Sequence, residues 1–175
     1  MQIPLVMTII GPDRTGLVET VARAVADHGG NWLESRMCRL GGEFAGILRV
    51  AIPPANQPAL QAALQQLQAN GLQIVVRADV AAPAAAGRLT KLEIIGADRA
   101  GIVREITRAL ARAGVNVEEF SSEVASAPMS GESLFKAEAR LHLPAQCDLA
   151  ALKAELEKIA ADLLVDISFA ELGDA

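Results

Sequence analysis

Two short segments carry residue types that could hold a small charged molecule. Gly11-Pro-Asp13-Arg14-Thr-Gly16 and Gly96-Ala-Asp98-Arg99-Ala-Gly101 share the pattern Gly-x-Asp-Arg-x-Gly, and an aliphatic pair follows each, Leu17-Val18 or Ile102-Val103. Glycines at these positions permit a tight turn and a close approach to the backbone. If a helix begins directly after, its first N–H groups lack internal acceptors and sit at the positive end of the helix dipole, which suits a carboxylate or a phosphate. Asp13 or Asp98 beside those amides could hold an ammonium group. The combination fits a zwitterion better than a phosphate, and an amino acid is the simplest such molecule. Plain structural readings of the same residues stand beside this one. Asp13 and Asp98 could cap the helices, Arg14 and Arg99 could form surface ion pairs, and Asn31 and Asn116, just past the helices, could adopt left-handed turn geometry.

Other chemistries fail on missing groups. The outer spacing Gly11-x4-Gly16 resembles a phosphate-binding Walker loop, but Leu17-Val18 stands where lysine and a hydroxyl residue are required, and Ile102-Val103 fails in the same way. Base stacking on a sheet needs aromatics, and the chain has no Tyr, one Trp and four Phe. His28 and His142 are isolated from any nucleophile or ligand set, so no catalytic residue, metal site or cofactor motif is expected. Cys38 and Cys147 form no C-x-x-C pattern and are read as packing residues, whereas His28, His142 and Trp32 are read as packing or surface residues.

The elements that must position the loops are also duplicated. A shift of 85 residues lays 11–34 on 96–119 with 11 identities in 24 positions, including Asp13, Arg14, Val18, Arg23, Asn31 and Glu34. Further along, Phe44–Pro53 follows Phe135–Pro144 at an offset of 91, so the second copy holds six extra residues, within Ser126–Ser133. Each copy opens with a β-branched apolar run, Leu5–Ile10 or Leu92–Ile95. A helical stripe follows, Leu17, Val18, Val21 and Val25 or Ile102, Val103, Ile106 and Leu110, ending at Gly29 or Gly114. Two strands, 32–40 and 44–52 or 117–125 and 134–143, make a hairpin. A second helix, Pro58–Ala69 or Leu149–Ala161, leads to a last strand, Leu72–Ala78 or Leu164–Phe169. The expected class is α+β: two ferredoxin-like βαββαβ domains, 1–79 and 89–175, each an antiparallel four-stranded sheet with both helices on one face. Residues 80–88, with Pro83 and Gly87 and no hydrophobic period, read as a linker. The free sheet face and edges favour docking between copies or a homodimer.

Composition narrows the partners. Over 175 residues, 51% apolar, the formal net charge is −5, and the excess falls in the second half: residues 1–87 hold six basic and six acidic side chains, leaving 10 and 15. With no clustered basic surface, direct nucleic-acid binding is not expected. Arg104, Arg108 and Arg112, four apart with Glu105 interleaved, read as a solvated helix face or a partner-binding stripe. No apolar stretch approaches a membrane span, and Met1-Gln2-Ile3-Pro4 lacks the features of a secretory signal, so a cytoplasmic location without membrane contact is expected.

With the Gly-x-Asp-Arg-x-Gly loops, their helices and Asn31 and Asn116 in place, both copies resemble the ACT domain family of amino-acid-sensing modules. The resemblance implies a non-enzymatic regulator whose ligand is a small amino acid, with glycine or serine favoured. It further implies a homodimer and a role in transcription of glycine cleavage genes, as a repressor acting through a DNA-binding activator. Carried over by position, Asp13, Arg14, Gly16 and Leu17, and Asp98, Arg99, Gly101 and Ile102, line ligand sites where the first helix meets a neighbouring module, with Asn31 and Asn116 beside them. Pro12, Thr15 and Gly30-Asn31-Trp32 set the first copy apart, so unequal affinities are expected. Two other classes stay open: a ligand-free dimerisation module, and an acylphosphatase-like hydrolase, against which Asp13 and Asp98 would repel the phosphate.

Overall fold

The computed structural model describes residues 1–80, 86–126 and 131–171, and the chain divides into two compact units, Met1–Ala82 and Pro83–Ala175. The first unit runs β1 (Ile3–Pro12), α1 (Leu17–Asp27), β2 (Asn31–Leu40), β3 (Glu43–Ile52), α2 (Gln57–Gln68) and β4 (Gln73–Ala78), with a 3-10 turn at Pro54–Asn56 before α2. The second repeats the order: β5 (Gly87–Ala97), α3 (Ile102–Arg112), β6 (Asn116–Ser126), β7 (Ser133–Pro144), α4 (Leu149–Leu163) and β8 (Val165–Glu171). Both sheets are antiparallel and four-stranded, ordered β2-β3-β1-β4 and β6-β7-β5-β8. This is the ferredoxin-like arrangement twice.

Alternation along the strands decides which face carries the helices. Leu5, Met7 and Ile9 of β1 and Leu48, Val50 and Ile52 of β3 are buried in one cluster with Leu17, Val21 and Val25 of α1 and Leu60 and Leu64 of α2. In the second unit Leu92, Ile94, Leu141 and Leu143 meet Ile102, Ile106 and Leu110 of α3 and Leu152 and Leu156 of α4. Each such aliphatic side chain contributes about 1.5–3 kcal/mol of burial. A bulge interrupts the β2–β3 ladder between Trp32 and Glu34, and the β6–β7 ladder carries the same irregularity between Val117 and Glu119. The duplication thus extends to backbone irregularities.

Several boundaries differ from the periodicity. β5 begins at Gly87, paired with Pro144, so Gly87 and Arg88 of the expected linker are strand; residues 81–85 of that linker lie outside the described residues. Of the longer hairpin loop, residues 127–130 also lie outside them. Gly29 and Gly114, at φ 69° and 70°, take the left-handed positions after the helices, and Asn31 and Asn116 instead begin strands. The helix has already turned before either Asn is reached, which removes the need for it. Cys147 packs on the second core, whereas Cys38 is exposed on β2, contrary to a packing role. Among the described residues, no helix is long and apolar enough to cross a membrane.

Candidate functional site

Each loop is fixed by glycines doing different jobs. Gly11 lies where β1 crosses the start of β4: a Cβ there would meet the Gly71 carbonyl oxygen at 2.6 Å, and one on Gly96 would meet the Leu164 carbonyl oxygen at the same distance. The close approach is to the protein's own backbone. Gly16 and Gly101 stand immediately before α1 and α3 at φ 88° and 99°, a left-handed conformation that costs other residues about 1–2 kcal/mol.

The helix starts are open. The first helical bonds run from the Thr20 amide to the Gly16 carbonyl, 2.9 Å, and from the Glu105 amide to the Gly101 carbonyl, 3.0 Å. The amides of residues 17–19 and 102–104 precede those bonds, and no side chain caps either helix. Asp13 and Asp98 are therefore not caps. The contrast is α4, where Asp148 Oδ1 accepts from the Ala151 amide at 3.0 Å. Backbone bonds hold the loops instead: the Asp13 amide donates to the Gly42 carbonyl at 2.8 Å, and the Asp98 amide to the Ser133 carbonyl at 3.0 Å.

The two loops then diverge. Asp13 Oδ2 accepts from Arg39 Nε at 2.5 Å, which leaves the first carboxylate satisfied by its own chain. The position corresponding to Arg39 in the second unit, 39 plus 85, is Val124, and Asp98 has no side-chain partner among the described residues. Arg14 and Arg99 are exposed and likewise without a described partner, so a surface ion pair does not account for them. The side chains of Leu17 and Ile102 are buried at 4% and 2% exposure; only their amides can face a ligand.

Asn31 and Asn116 are not beside the loops of their own units. Asn31 pairs with Ala51, which pairs with Pro4, eight residues before Pro12 at the loop. Asn116 pairs with His142, which pairs with Leu89, eight residues before Ala97. At about 3.4 Å per residue that is about 27 Å, the length of the sheet. Helix α1 or α3 carries the chain back along the strands, so an Asn just after it must start at the opposite end. Arg39 is the residue sequence reasoning missed: it is 26 positions from Asp13 and meets it only because β2 returns to the loop end of the sheet.

Elsewhere, Arg104 and Arg108 both pair with Glu105, and Arg112 with Glu155, as expected of a solvated helix face. His28 Nδ1 donates to the Ala24 carbonyl at 2.7 Å and Trp32 packs against the first core, both structural roles. Glu34 is held below its usual range by the Arg36 guanidinium beside it. Lys91 is raised by hydrogen bonds to Glu93 and Glu138.

Comparison with known proteins agrees with this geometry. The ACT domain family matches twice, over residues 4–77 and 90–161. A crystal structure of an unknown protein from Galdieria sulphuraria is 30% identical, with 98% of this chain and 99% of that chain covered at a TM-score of 0.85. A proposed glycine cleavage system transcriptional repressor shares the fold at 21% identity and a TM-score of 0.69, with 99% of both chains covered. No curated protein matches. Two βαββαβ units, each with an open helix start behind a Gly-x-Asp-Arg-x-Gly turn and each matched by the same family, place this chain in the ACT domain family as a tandem pair.

Proposed function

We propose that this chain is a non-enzymatic regulator that senses a small amino acid, glycine or serine first, and that the loop at 96–101 is its principal binding site. The observation that carries the reading is the set of groups there: three amides at the start of α3 that no side chain caps, and an Asp98 carboxylate with no side-chain partner among the described residues. A ligand carboxylate satisfies the amides and its ammonium group satisfies Asp98, while Arg99 adds a cation for the carboxylate. Gly101, Ile102 and the corresponding Asp13, Arg14, Gly16 and Leu17 supply the same elements, but Asp13 must first be released by Arg39. Membership of the ACT domain family supports the sensing role.

Binding stabilises one arrangement of the protein and so changes the surface offered to a protein partner. The likeness to a proposed glycine cleavage repressor supports transcription of glycine cleavage genes as the output, with a DNA-binding activator as that partner. Titration calorimetry of the full chain with glycine, serine and a panel of other amino acids tests the reading. Saturable heat whose tighter component Asp98→Ala removes, and whose weaker component Asp13→Ala removes, supports it. Silence across the panel refutes it and leaves a ligand-free interaction module, a role the Asp13–Arg39 pair already suits in the first unit.

A further inference from the structure

The helix-free faces of the two sheets have opposite character. The pairing registers put Arg36, Ile47, Thr8 and Val75 in the central row of the first sheet, and Ser121, Glu138, Glu93 and Ser168 in the central row of the second. Lys91 bridges Glu93 and Glu138 on the second face, at 2.7 and 3.1 Å, so that face is solvated by its own ion pairs. On the first, Ile10, Ile47 and Val75 are 46%, 55% and 51% exposed, and a shallow groove of about 530 Å³ lies between β1, β2 and β3, lined by Thr8, Ile10, Cys38, Ala45 and Ile47. Isolated exposed aliphatics need no explanation; a contiguous set on one face does.

We propose that this face is the interface between two copies of the chain, stacked sheet on sheet. A two-fold axis parallel to the strands, between β3 and β1, lays the order β2-β3-β1-β4 over β4-β1-β3-β2 and keeps each row on itself. Ile47 then covers Thr8 of the second copy, Ala45 covers Ile10, and the Arg36 stem covers Val75. One row further, Glu34, Arg49, Val6 and Arg77 lie across the sheet. Arg49 is held by Asp79 at 2.6 Å; Glu34 accepts from Arg36 at 2.6 Å and lies 3.6 Å from Arg49, with its carboxylate still half exposed; and Arg77 has no partner among the described residues. The same axis sets Arg77 over Glu34 of the second copy, twice per pair. The charge pattern is therefore self-complementary in the register that also joins the apolar rows. Strands about 4.8 Å apart and about 3.4 Å per residue give a face of about 600 Å² per copy, about 1,200 Å² per pair, the lower end for a stable interface. The assembly is accordingly reversible and concentration-dependent, and it does not depend on the ligand reading.

Sedimentation equilibrium of the full chain, with circular dichroism to confirm folding, tests the proposal. The wild type reaches twice the 18.3 kDa chain mass with rising concentration. Ile47→Glu raises the dimer dissociation constant by about tenfold or more, as loss of a central contact does, and Ile95→Glu, on the second unit's open face, leaves it unchanged. Glu34→Arg and Arg77→Glu each give monomer alone, and an equimolar mixture recovers the dimer, because both cross pairs are restored between unlike copies. A monomeric wild type, a dimer indifferent to Ile47→Glu, or a mixture that stays monomeric overturns it.

Discussion

Replacing Arg39 by Val makes the first loop resemble the second, and the effect on ligand affinity can be worked from the ion pair it removes. The Arg39 and Asp13 side chains are 69% and 31% exposed, so the pair is worth about 0.2–1 kcal/mol despite its short 2.5 Å contact. A ligand ammonium group that takes Asp13 must displace Arg39 and forfeits that amount. At 1.4 kcal/mol per tenfold, the penalty is a factor of about 1.4–5. In an Asp98→Ala background, where only the first loop can bind, Arg39→Val should tighten amino-acid binding by that factor in calorimetry. The gain should shrink in high salt, which already weakens the exposed pair. The reciprocal Val124→Arg, read in an Asp13→Ala background, should weaken the second loop by the same factor. Thermal unfolding should change by no more than the pair's own worth. Weaker binding after Arg39→Val would refute the reasoning, because Arg39 would then be holding the ligand's carboxylate instead of competing for Asp13.

Gly101→Ala should destabilise the second unit by about 1–2 kcal/mol in urea although its Cβ would meet nothing within 4 Å, since φ is 99°, and Gly11→Ala should cost more because its Cβ would collide with the Gly71 carbonyl. Asp148→Ala should cost about 1 kcal/mol through loss of the α4 cap, whereas Asp98→Ala, which removes no cap, should leave the melting temperature unchanged while removing the tighter component of the ligand heat. Glu34 is held below its usual value of 4.5 by Arg36, so its contribution to stability is present above that value and is lost as the pH falls through the lowered one; Glu34→Gln should flatten the acid limb of a stability–pH curve there.

The duplication made much of this legible in one chain. Eleven identities over 24 positions marked the strand, turn and helix of each unit, and the βαββαβ order then allowed few sheet topologies. Leu17 and Ile102 are where helical spacing put them, in the cores. What stayed hidden depends on distant pairing. Nothing near Asp13 announces Arg39, because their meeting follows from the register of β2 against β3 and of β3 against β1; the place of Asn31, by contrast, follows from the direction of α1, which the element order already implied. The polarity of the open faces is hidden for the same reason: Thr8, Arg36, Ile47 and Val75 come from four strands, and only pairing lines them up. Gly87 and Arg88 lack strand chemistry of their own and join β5 by pairing with Pro144 and Leu143.

A duplicated chain serves as its own control, since the two units began with the same demands. Features kept in both, such as the positive-φ Gly16 and Gly101 and the bulges at Trp32/Glu34 and Val117/Glu119, answer to the fold they share. Differences at matched positions cannot be requirements of that fold. Arg39 against Val124 changes whether a loop carboxylate is paired, and Ile47 against Glu138 changes whether a sheet face is apolar or ion-paired. Both differences run the same way: the first unit satisfies its loop and leaves its face apolar, while the second leaves its loop unsatisfied and pairs its face. That is the pattern expected when one copy is given over to assembly and the other to ligand. The variants Arg39→Val and Ile47→Glu separate the two roles, because each should alter one and spare the other.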